Sequence, residues 1–192
     1  MPRLILQMMT TLNGRIDDPD AWVSGISDDL YTEIDTRYAT FDTVLVGRAT
    51  YQEMAAYWPS AESDPASSDL VRSMAHRMNT YRKVVISATN QPLPAWNNVT
   101  PYHIHTDADL VRCITELKAQ SGADVHLSGG ASLAQSVVRL GLVDEYHLFV
   151  YPVISLGKTW YDQLPAQPKL ELLSATPYAN GVVGLYYRPQ PA

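Results

Sequence analysis

The sequence lacks the features that define several large classes of protein. It contains one cysteine, Cys113, so no disulfide can form within the chain, which fits a reducing compartment. No apolar run approaches the roughly 18 residues of a membrane-spanning helix. Residues 1–11 also lack the apolar core and cleavage site of a signal peptide. We therefore expect a cytoplasmic protein without a membrane partner.

Positive charge is also scarce. Lysine and arginine together number 14 against 20 aspartates and glutamates, which gives a net charge of −6. A chain this acidic is poorly suited to hold a polyanion across a broad face, so we expect no nucleic-acid partner. The charge balance still allows a local basic pocket for a single phosphate.

Several catalytic and ligand-binding signatures are missing as well. There is no Gly-x-Ser-x-Gly of a serine hydrolase and no Gly-Lys-Ser/Thr of a P-loop. The histidines show no third ligand at a diagnostic spacing, so no metal site is predicted. His126 and His147 lie in apolar strands, where a histidine is usually a core residue with satisfied hydrogen bonds. Cys113 is interpreted as a small core residue.

The sequence does contain short apolar strands that alternate with helical patterns. Near-continuous apolar runs are typical of parallel strands that are buried on both faces. Strands of this kind are predicted at residues 4–9, 43–46, 83–86 and 124–127. Helical patterns follow them, with Ser27 as a predicted N-cap and a capping-box pattern at Thr106–Asp109. Two stretches, Asn13–Gly25 and Trp58–Asp69, are predicted to be loops.

The pattern changes in the C-terminal part of the chain. Glu145–Val153 is strand-like, and two further strand patterns flank Ala179-Asn180-Gly181. Asn-Gly supplies the positive φ values of a type I′ turn, so these two strands are predicted to form a hairpin. Together the patterns predict one α/β domain over residues 1–192. It has three layers, with a mostly parallel central sheet, helices on both faces and an antiparallel C-terminal hairpin.

Four segments place small or polar residues directly after a predicted strand. They are Thr10–Gly14, Gly47–Thr50, Ser87–Asn90 and Gly129–Ser132. Because the carboxyl ends of parallel strands share one edge of a sheet, we expect the segments to converge there. Two of them lead into helices, whose N-termini bind phosphate, and Arg48 offers a bidentate fork. Read alone, the paired glycines are explained equally well by tight packing.

These motifs, in this order, resemble the C-terminal reductase domain of the riboflavin-biosynthesis deaminase/reductase family, a branch of the dihydrofolate reductase-like fold. Residues 9–16, MTTLNGRI, are similar to the family's opening S/T-L-D-G-R-I, and Asp42–Tyr51 resembles D-x-V-L-x-G-R-x-T-Y. Ser128–Gly130 resembles the family's Gly-Gly turn. Gly141–Glu145 followed by Tyr151–Gly157 resembles G-L-V-D-E … P-V-x-L-G. The resemblance covers nearly the whole chain.

The resemblance implies an oxidoreductase that uses NADPH to reduce a small heterocyclic substrate and forms a homodimer. The family's named substrate is 5-amino-6-(5-phosphoribosylamino)uracil. A dihydrofolate or pterin reductase, and a nucleotide-binding module without turnover, remain as alternatives. The residues implied to hold the cofactor are Gly47, Arg48, Thr50, Ser87, Thr89, Gly129, Gly130 and Ala131, with Arg48 as the candidate for the 2′-phosphate.

The same resemblance implies three catalytic candidates. Thr10 and Asn13 are expected near the nicotinamide and the substrate. Asp28, Asp29 and Glu33 are all near the position of the acid that dihydrofolate reductases carry on the first helix, and Asp28 is taken as the candidate. Asn13 stands where the family usually has aspartate. An amide can orient a substrate, but it cannot take up a proton at neutral pH. Asp28 is also explained by its position at the start of a helix.

Overall fold

The computed structural model describes residues 1–162, 164–165 and 167–190. Its strands are β1 Leu4–Thr11, β2 Phe41–Gly47, β3 Arg82–Ser87, β4 Val99–His103, β5 Asp124–Gly129, β6 Glu145–Tyr151, β7 Leu170–Pro177 and β8 Val183–Pro189. Its α-helices are α1 Asp28–Tyr38, α2 Arg48–Ala61, α3 Asp69–Thr80, α4 Asp107–Ala119 and α5 Ala131–Arg139. One turn of 3-10 helix at Pro19–Ala21 interrupts the loop between β1 and α1.

All eight strands belong to one sheet, in the order β4-β3-β2-β5-β1-β6-β8-β7. The pairs from β4 to β6 are parallel, whereas β8 runs antiparallel to both β6 and β7. The predicted α/β architecture, with its parallel centre and antiparallel C-terminal hairpin, is confirmed. The helices connect parallel strands, so they cover the two faces of the sheet.

Two hydrophobic cores lie on opposite faces of this sheet. Helices α4 and α5 pack on one face, where Ile114 and Val137 meet strand residues such as Leu127. Helices α1, α2 and α3 cover the other face, where Ile34 and Met74 pack among strand residues of that side. Cys113 is buried in the first core, as predicted. In the part of the chain that the structure describes, no helix is long and apolar enough to cross a membrane.

Helix ends follow the sequence at some positions and depart from it at others. Thr106 and Asp109 form the predicted capping box at the start of α4. Ser27 occupies the N-cap of α1, but its hydroxyl donates to the Asp29 carboxylate rather than capping a backbone N–H. The prediction that the loop begins at Trp58 is wrong, because α2 continues through Pro59 to Ala61, which is buried.

The C-terminal hairpin is confirmed, but its predicted turn type is wrong. Gly181 N–H donates to the Tyr178 carbonyl at 2.9 Å, so Ala179 and Asn180 are the two central residues of the turn, and neither has a positive φ. The positive φ, of 83°, falls on Gly181, which follows them. A type I′ turn requires positive φ at both positions. Asn180 instead uses its side chain, which donates to the Gly25 carbonyl at 3.1 Å and accepts the Val182 N–H at 3.2 Å.

Candidate functional site

A cleft of about 760 Å³ opens at the carboxyl edge of the parallel strands. Six of the eight predicted cofactor residues line it. They are Gly47, Arg48, Thr50, Ser87, Gly130 and Ala131. The remaining two, Gly129 and Thr89, do not line the cleft. Each is adjacent in sequence to a residue that does. The parallel pairing of β1, β2, β3 and β5 brings their exits together, as expected for open α/β sheets.

Two helix N-termini meet in this cleft without side-chain caps. Helix α2 begins after Gly47 and helix α5 after Gly130, and neither glycine has a side chain that could accept a backbone N–H. Away from the cleft, α3 and α4 start at Ser68 and Thr106, whose hydroxyls accept backbone N–H groups at 3.2 Å. The bare ends in the cleft leave backbone N–H donors and positive dipole ends available to an anion.

The turns before these helices pack closely against each other. A Cβ on Gly130 would lie 2.7 Å from the Thr50 hydroxyl oxygen, and one on Gly47 would lie 3.6 Å from the Gly130 nitrogen. Gly129 has a φ of 95°, which favours glycine. The glycines therefore let two helix starts approach each other at one point of the cleft.

Arg48 lies in the cleft wall with part of its guanidinium already engaged. Its two terminal nitrogens donate to the backbone carbonyls of Gln91 and Pro92 at 2.7 and 2.6 Å. Because an arginine has five N–H donors, three remain for a phosphate. These bonds hold the segment after β3 against the start of α2. Beyond Arg48 and Ser87 lies a second cavity of about 360 Å³, walled partly by Pro92 and Trp96.

Ser87 and Thr89 form a local turn at the end of β3. The Ser87 hydroxyl donates to the Thr89 carbonyl at 2.8 Å and accepts the Thr89 backbone N–H at 3.1 Å. Both bonds are turn chemistry of the Ser/Thr type. Ser87 nonetheless lines both the main cleft and the second cavity.

The predicted loop Asn13–Gly25 forms another wall of the cleft, through residues that include Asp17 and Trp22. The loop is anchored by the Arg15 guanidinium, which donates to Asp17 at 2.8 Å and to the Ser155 hydroxyl at 2.6 Å. Hydrogen bonding to Arg15 lowers the pKa of Asp17 below its usual value. Trp22 is fixed by its indole N–H, which donates to the Asp17 carbonyl at 2.9 Å.

None of the three predicted catalytic residues lines the cleft. Thr10 is buried, and its hydroxyl donates to the Thr11 carbonyl at 3.1 Å. The Asn13 amide donates to the Ser155 carbonyl at 2.9 Å and accepts the Ser155 N–H at 3.1 Å, so it ties two loops together. Asp28 is exposed at the first turn of α1.

The structure also contains a third cavity, separate from the second cavity beside Arg48, that the sequence did not predict. An apolar slot of about 240 Å³ lies beneath α1 and α3, with Ile34, Met74 and Phe149 among its walls. It shares four lining residues with the main cleft. They are Gln7, Met8, Met9 and Tyr38. None of the described residues that line the slot carries a charge. The slot therefore extends the cleft into an apolar environment.

Two buried polar side chains lie along the cleft, and one of them, Gln7, also lines the slot. Gln7 is only 4% exposed, and among the described residues neither its amide nitrogen nor its amide oxygen has a hydrogen-bond partner. His126, on the neighbouring β5, also lines the cleft and leaves its Nδ1 without a partner. Nδ1 of His147 is likewise unpaired. The prediction that both histidines are satisfied is therefore wrong for one ring nitrogen of each. The one signal in the sequence was Gln7 itself, a single amide within an apolar strand.

Among the residues that the structure describes, no group of three or more histidine, cysteine, aspartate or glutamate side chains is arranged to hold a metal ion. The charged residues of the cleft are instead distributed around its rim. They are Asp17, Asp18, Arg48, Glu53 and Lys158. Three of these five are carboxylates, so the features that suit an anion are the backbone donors of the two helix ends together with Arg48 and Lys158.

Comparison with known proteins defines the class of this fold. A solved structure of a putative riboflavin biosynthesis protein from Shewanella sp. PV-4 superimposes with a TM-score of 0.75 at 17% identity, covering 98% of this chain and 99% of that one. A dihydrofolate reductase from Enterococcus faecalis, complexed with NADP(H), superimposes with a TM-score of 0.64 at 13% identity, covering 98% and 97%. The chain therefore has a dihydrofolate reductase-like α/β fold.

The family follows from the sequence comparison. A model of the RibD C-terminal domain matches residues 2–184, and the chain belongs to that family. The uncharacterized protein YyaP of Bacillus subtilis (strain 168) is 28% identical over 186 residues, which cover 96% of this chain and 94% of that protein. The deaminase/5-amino-6-(5-phosphoribosylamino)uracil reductase of Thermotoga maritima superimposes with a TM-score of 0.64 at 17% identity, covering 98% of this chain and 57% of that one. The resemblance inferred from the motifs is confirmed.

Proposed function

We propose that this protein is an NADPH-dependent reductase of a small heterocyclic substrate. The observation that carries the proposal is the meeting of two uncapped helix N-termini, at Gly47 and Gly130, in a cleft that continues into an apolar slot. A dinucleotide needs a site for its phosphates beside a site for its reacting ring. Family membership and the fold shared with an NADP(H)-bound dihydrofolate reductase support this interpretation.

The cleft fits a nicotinamide dinucleotide in its donors and in its shape. The backbone N–H groups that follow Gly47 and Gly130 would hold the phosphates. The adenosine half would extend past Ser87 into the second cavity, where Arg48 has donors left for a 2′-phosphate. Thr50 would contribute its hydroxyl at the point where the two helices meet. Thr89 and Gly129, which lie beside residues that line the cleft, would position those residues for their contacts with the cofactor.

When bound, the cofactor would supply hydride, so the task of the chain is to position two rings and exclude water. Met9 and Tyr38 line both the cleft and the slot, so they would border the place where cofactor and substrate meet. Trp22 and the loop anchored by Arg15 would cover this place from one side. Each of these roles is one of orientation and enclosure rather than proton transfer.

A second candidate function is a nucleotide-binding module without turnover. The observation that favours it is that Thr10, Asn13 and Asp28 all lie outside the cleft, and that the Asn13 amide is used in loop contacts. In this case the phosphate-binding helix ends would remain useful, while no side chain would serve the substrate. The second candidate predicts tight cofactor binding with no hydride transfer to any heterocycle.

One assay separates the two candidates. NADPH binding is measured by fluorescence titration, and its oxidation is followed by absorbance in the presence of aminouracils, pterins and flavins. Oxidation with one of these compounds supports the reductase, and the preferred compound distinguishes an aminouracil reductase from a pterin reductase. Tight NADPH binding without oxidation across the panel favours the module. Failure to bind NADPH contradicts both candidates.

We also propose that the protein is a homodimer and that residues 1–192 act as one domain. Strand β7 lies at the edge of the sheet, and it exposes Leu172 and Leu173. An uncovered edge strand with apolar side chains is a natural site for pairing with a second copy. Sedimentation equilibrium is expected to give twice the mass of the chain, and a monomeric mass would contradict the dimer.

A further inference from the structure

The hydroxyl of Tyr38 is a polar group that a ligand can reach where the slot joins the cleft. Tyr38 lies in the wall of both cavities. Helix α1 follows the exit of β1 and ends at Tyr38, close to the start of β2, so it runs from the carboxyl edge of the sheet to the amino edge. Long side chains on a helix lean toward its N-terminus, so the Tyr38 side chain leans back toward the cleft.

The ring of Tyr38 is held by aromatic neighbours, whereas its hydroxyl is free. The ring packs edge-on against Phe41 and His126, at 5.9 and 5.0 Å between centroids. Among the described residues the hydroxyl makes no hydrogen bond, and unlike the unpaired amide of Gln7 it keeps surface that is accessible to solvent. Burial of the phenol raises the pKa of Tyr38, so the hydroxyl keeps its proton at neutral pH and can donate it to a hydrogen bond.

The other polar side chains in the wall of the slot offer less to a ligand at this junction. Each amide atom of Gln7 exposes less than 1 Å² of surface. The hydroxyl of Tyr31 donates to the Leu70 carbonyl at 2.6 Å. The indole N–H of Trp58 has no partner among the described residues, but Trp58 does not line the cleft. Tyr38 therefore supplies the free donor at the point where the two cavities meet.

The surroundings of this hydroxyl define the kind of ring that fits. None of the described residues that line the slot carries a charge, and most are aromatic or aliphatic. A charged ring would lose its hydration there without gaining an ion pair, so the slot favours a neutral one. Its volume of about 240 Å³ and its aromatic walls suit a small planar ring system. A donor at the end nearest the cleft requires an acceptor on the matching edge of that ring.

We propose that Tyr38 determines the specificity of the slot, and that its hydroxyl donates a hydrogen bond to a carbonyl oxygen or ring nitrogen of a neutral planar heterocycle bound there. This inference rests on the proposed function in one respect, because it takes that heterocycle to be the substrate of the reductase. The hydrogen bond fixes which edge of the ring faces the cleft. It assigns recognition to a residue outside the motifs that identify the family.

The first test uses the unmodified protein without cofactor. Coumarin is the probe, because it is a planar bicycle that is neutral at any pH and has one carbonyl group. We expect it to bind in calorimetric titrations. In the bound state its carbonyl stretching band is expected at the lower infrared frequency of a hydrogen-bonded carbonyl. No binding, or a band at the frequency seen in an apolar solvent, overturns the proposal.

The second test compares two tyrosines of the same helix and the same slot. 2H-Chromene carries a CH₂ group in place of the coumarin carbonyl, so the ratio of the two affinities reports the bond to that carbonyl. Tyr38→Phe is expected to lower the ratio about three- to tenfold, the value of one neutral hydrogen bond. Tyr31→Phe is the matched control, because its hydroxyl is already engaged by Leu70, and it should keep the ratio within about twofold. An unchanged ratio in Tyr38→Phe, or an equal fall in Tyr31→Phe, overturns the proposal.

The third test locates the ligand and probes its charge. Val71 lines the slot and not the cleft, so Val71→Phe narrows the slot and should weaken coumarin binding at least about tenfold. Val111→Phe is the control, because Val111 is exposed on α4 and lines neither cavity. Coumarin-3-carboxylate should bind the unmodified protein at least about tenfold more weakly than coumarin, because the slot has no cation to pair with it. Unchanged affinity in Val71→Phe, or equal binding of the carboxylate, overturns the proposal.

The role of Tyr38 and the reductase function fail in different ways. An affinity ratio that depends on Tyr38, in a protein that binds no NADPH, supports the role of Tyr38 and contradicts the reductase. A ratio that does not depend on Tyr38, in a protein that oxidises NADPH with a heterocycle, supports the reductase and overturns the role of Tyr38. The infrared band and the comparison with the carboxylate use the unmodified protein, so they test the proposal even if a variant does not fold.

Discussion

The two faces of the central sheet differ in what they bury. The hydrophobic core under α4 and α5 is aliphatic except for Cys113 and Tyr146, and the small polar side chain of Thr43, two positions from Leu45 of that core, is buried on the same face. The face under α1, α2 and α3 buries several polar side chains besides its apolar core. Among them are Gln7, Lys83, Ser87, His126 and His147. Gln7, His126 and His147 are each flanked in their strands by residues of the opposite core, and Lys83 and Ser87 each adjoin one such residue, so alternation directs them to this face.

The two faces of the sheet therefore contribute differently to the stability of the fold. An apolar face stabilises the fold through burial alone, whereas unpaired polar groups in a core cost stability. The unpaired atoms of Gln7 and His126 each expose less than 1 Å² of surface, so among the described residues they carry a burial cost with no compensating hydrogen bond. We therefore expect substitutions on the two faces to act on different properties.

The largest effect is expected from the apolar face. Leu127 is fully buried in β5, so Leu127→Ala should lower the free energy of unfolding by about 2–5 kcal/mol, through lost burial and the cavity that remains. Gln7 lies on the adjacent strand β1 and faces the other side of the sheet. Gln7→Leu should leave the free energy of unfolding unchanged or raise it, because an unpaired amide is removed. Urea denaturation of both variants measures this contrast. Equal losses in the two variants would remove the distinction between the faces.

A somewhat smaller effect is expected at the cleft, from Arg48. Arg48→Ala should weaken NADPH binding more than NADH binding, by roughly 1.5–3 kcal/mol, because a charge-assisted bond to the 2′-phosphate is lost. The variant also releases the carbonyls of Gln91 and Pro92, which should affect both cofactors equally. Titrations with the two cofactors separate these contributions. Equal weakening would leave Arg48 as a residue that only holds the segment after β3.

The fold was largely predictable because its signals are local and repeated. Apolar runs marked β1, β2, β3 and β5 correctly, and the Thr106 capping box needs only residues three positions apart. The errors arose where tertiary contacts overrode local preference. Helix α2 continues past Pro59 because Ala61 is buried. At the hairpin the turn is centred one residue earlier than predicted, and the Asn180 amide bonds to Gly25, a residue distant in sequence.

The third prediction concerns the close contact of the two helix starts. In Gly130→Ala the new Cβ would lie 2.7 Å from the Thr50 hydroxyl, so either the hydroxyl or the start of α5 must move. We expect NADPH affinity to fall about tenfold, or about 1.4 kcal/mol, with little change in unfolding temperature. The double variant Gly130→Ala/Thr50→Ala relieves the contact and is the control. A large loss of thermal stability with unchanged affinity would show that Gly130 serves packing alone.

The site was predictable in part. Gly47, Arg48, Thr50 and Gly130 could be found because helix starts after glycine are visible in the sequence. The floor of the cleft could not, because nothing in a sequence tells whether a buried polar atom has a partner. His126 looks like an ordinary core histidine until the distances around its two nitrogens are known. The apolar slot was also missed, since its walls come from distant segments.

The smallest effect is expected from Lys83, which lies on the polar face of the sheet, the face under α1, α2 and α3. It tests how much free energy of unfolding is lost by burying a charged ammonium group there. Its ammonium group is buried, donates to the carbonyls of Asn79 and Asn97 at 3.2 and 2.9 Å, and lies 4.3 Å from the centre of the Trp96 ring. Burial lowers the pKa of Lys83 to about 8 from its usual 10.5. Between these values the unfolded chain binds more protons than the folded one, so stability rises with pH.

Thermal unfolding at about pH 7.5 and about pH 9.5 measures this rise, because Lys83 loses its proton in the folded state within that window. We expect Tm to increase by roughly 2–4 °C, which corresponds to about 1 kcal/mol for a domain of this size. Lys83→Met should abolish the increase, because it has no titrating group and a similar length. His147→Phe, whose native ring titrates at lower pH, should retain it. A Tm that falls over this range in the unmodified protein would mean that Lys83 is charged and well solvated, and that the polar face carries no such burial cost at this position.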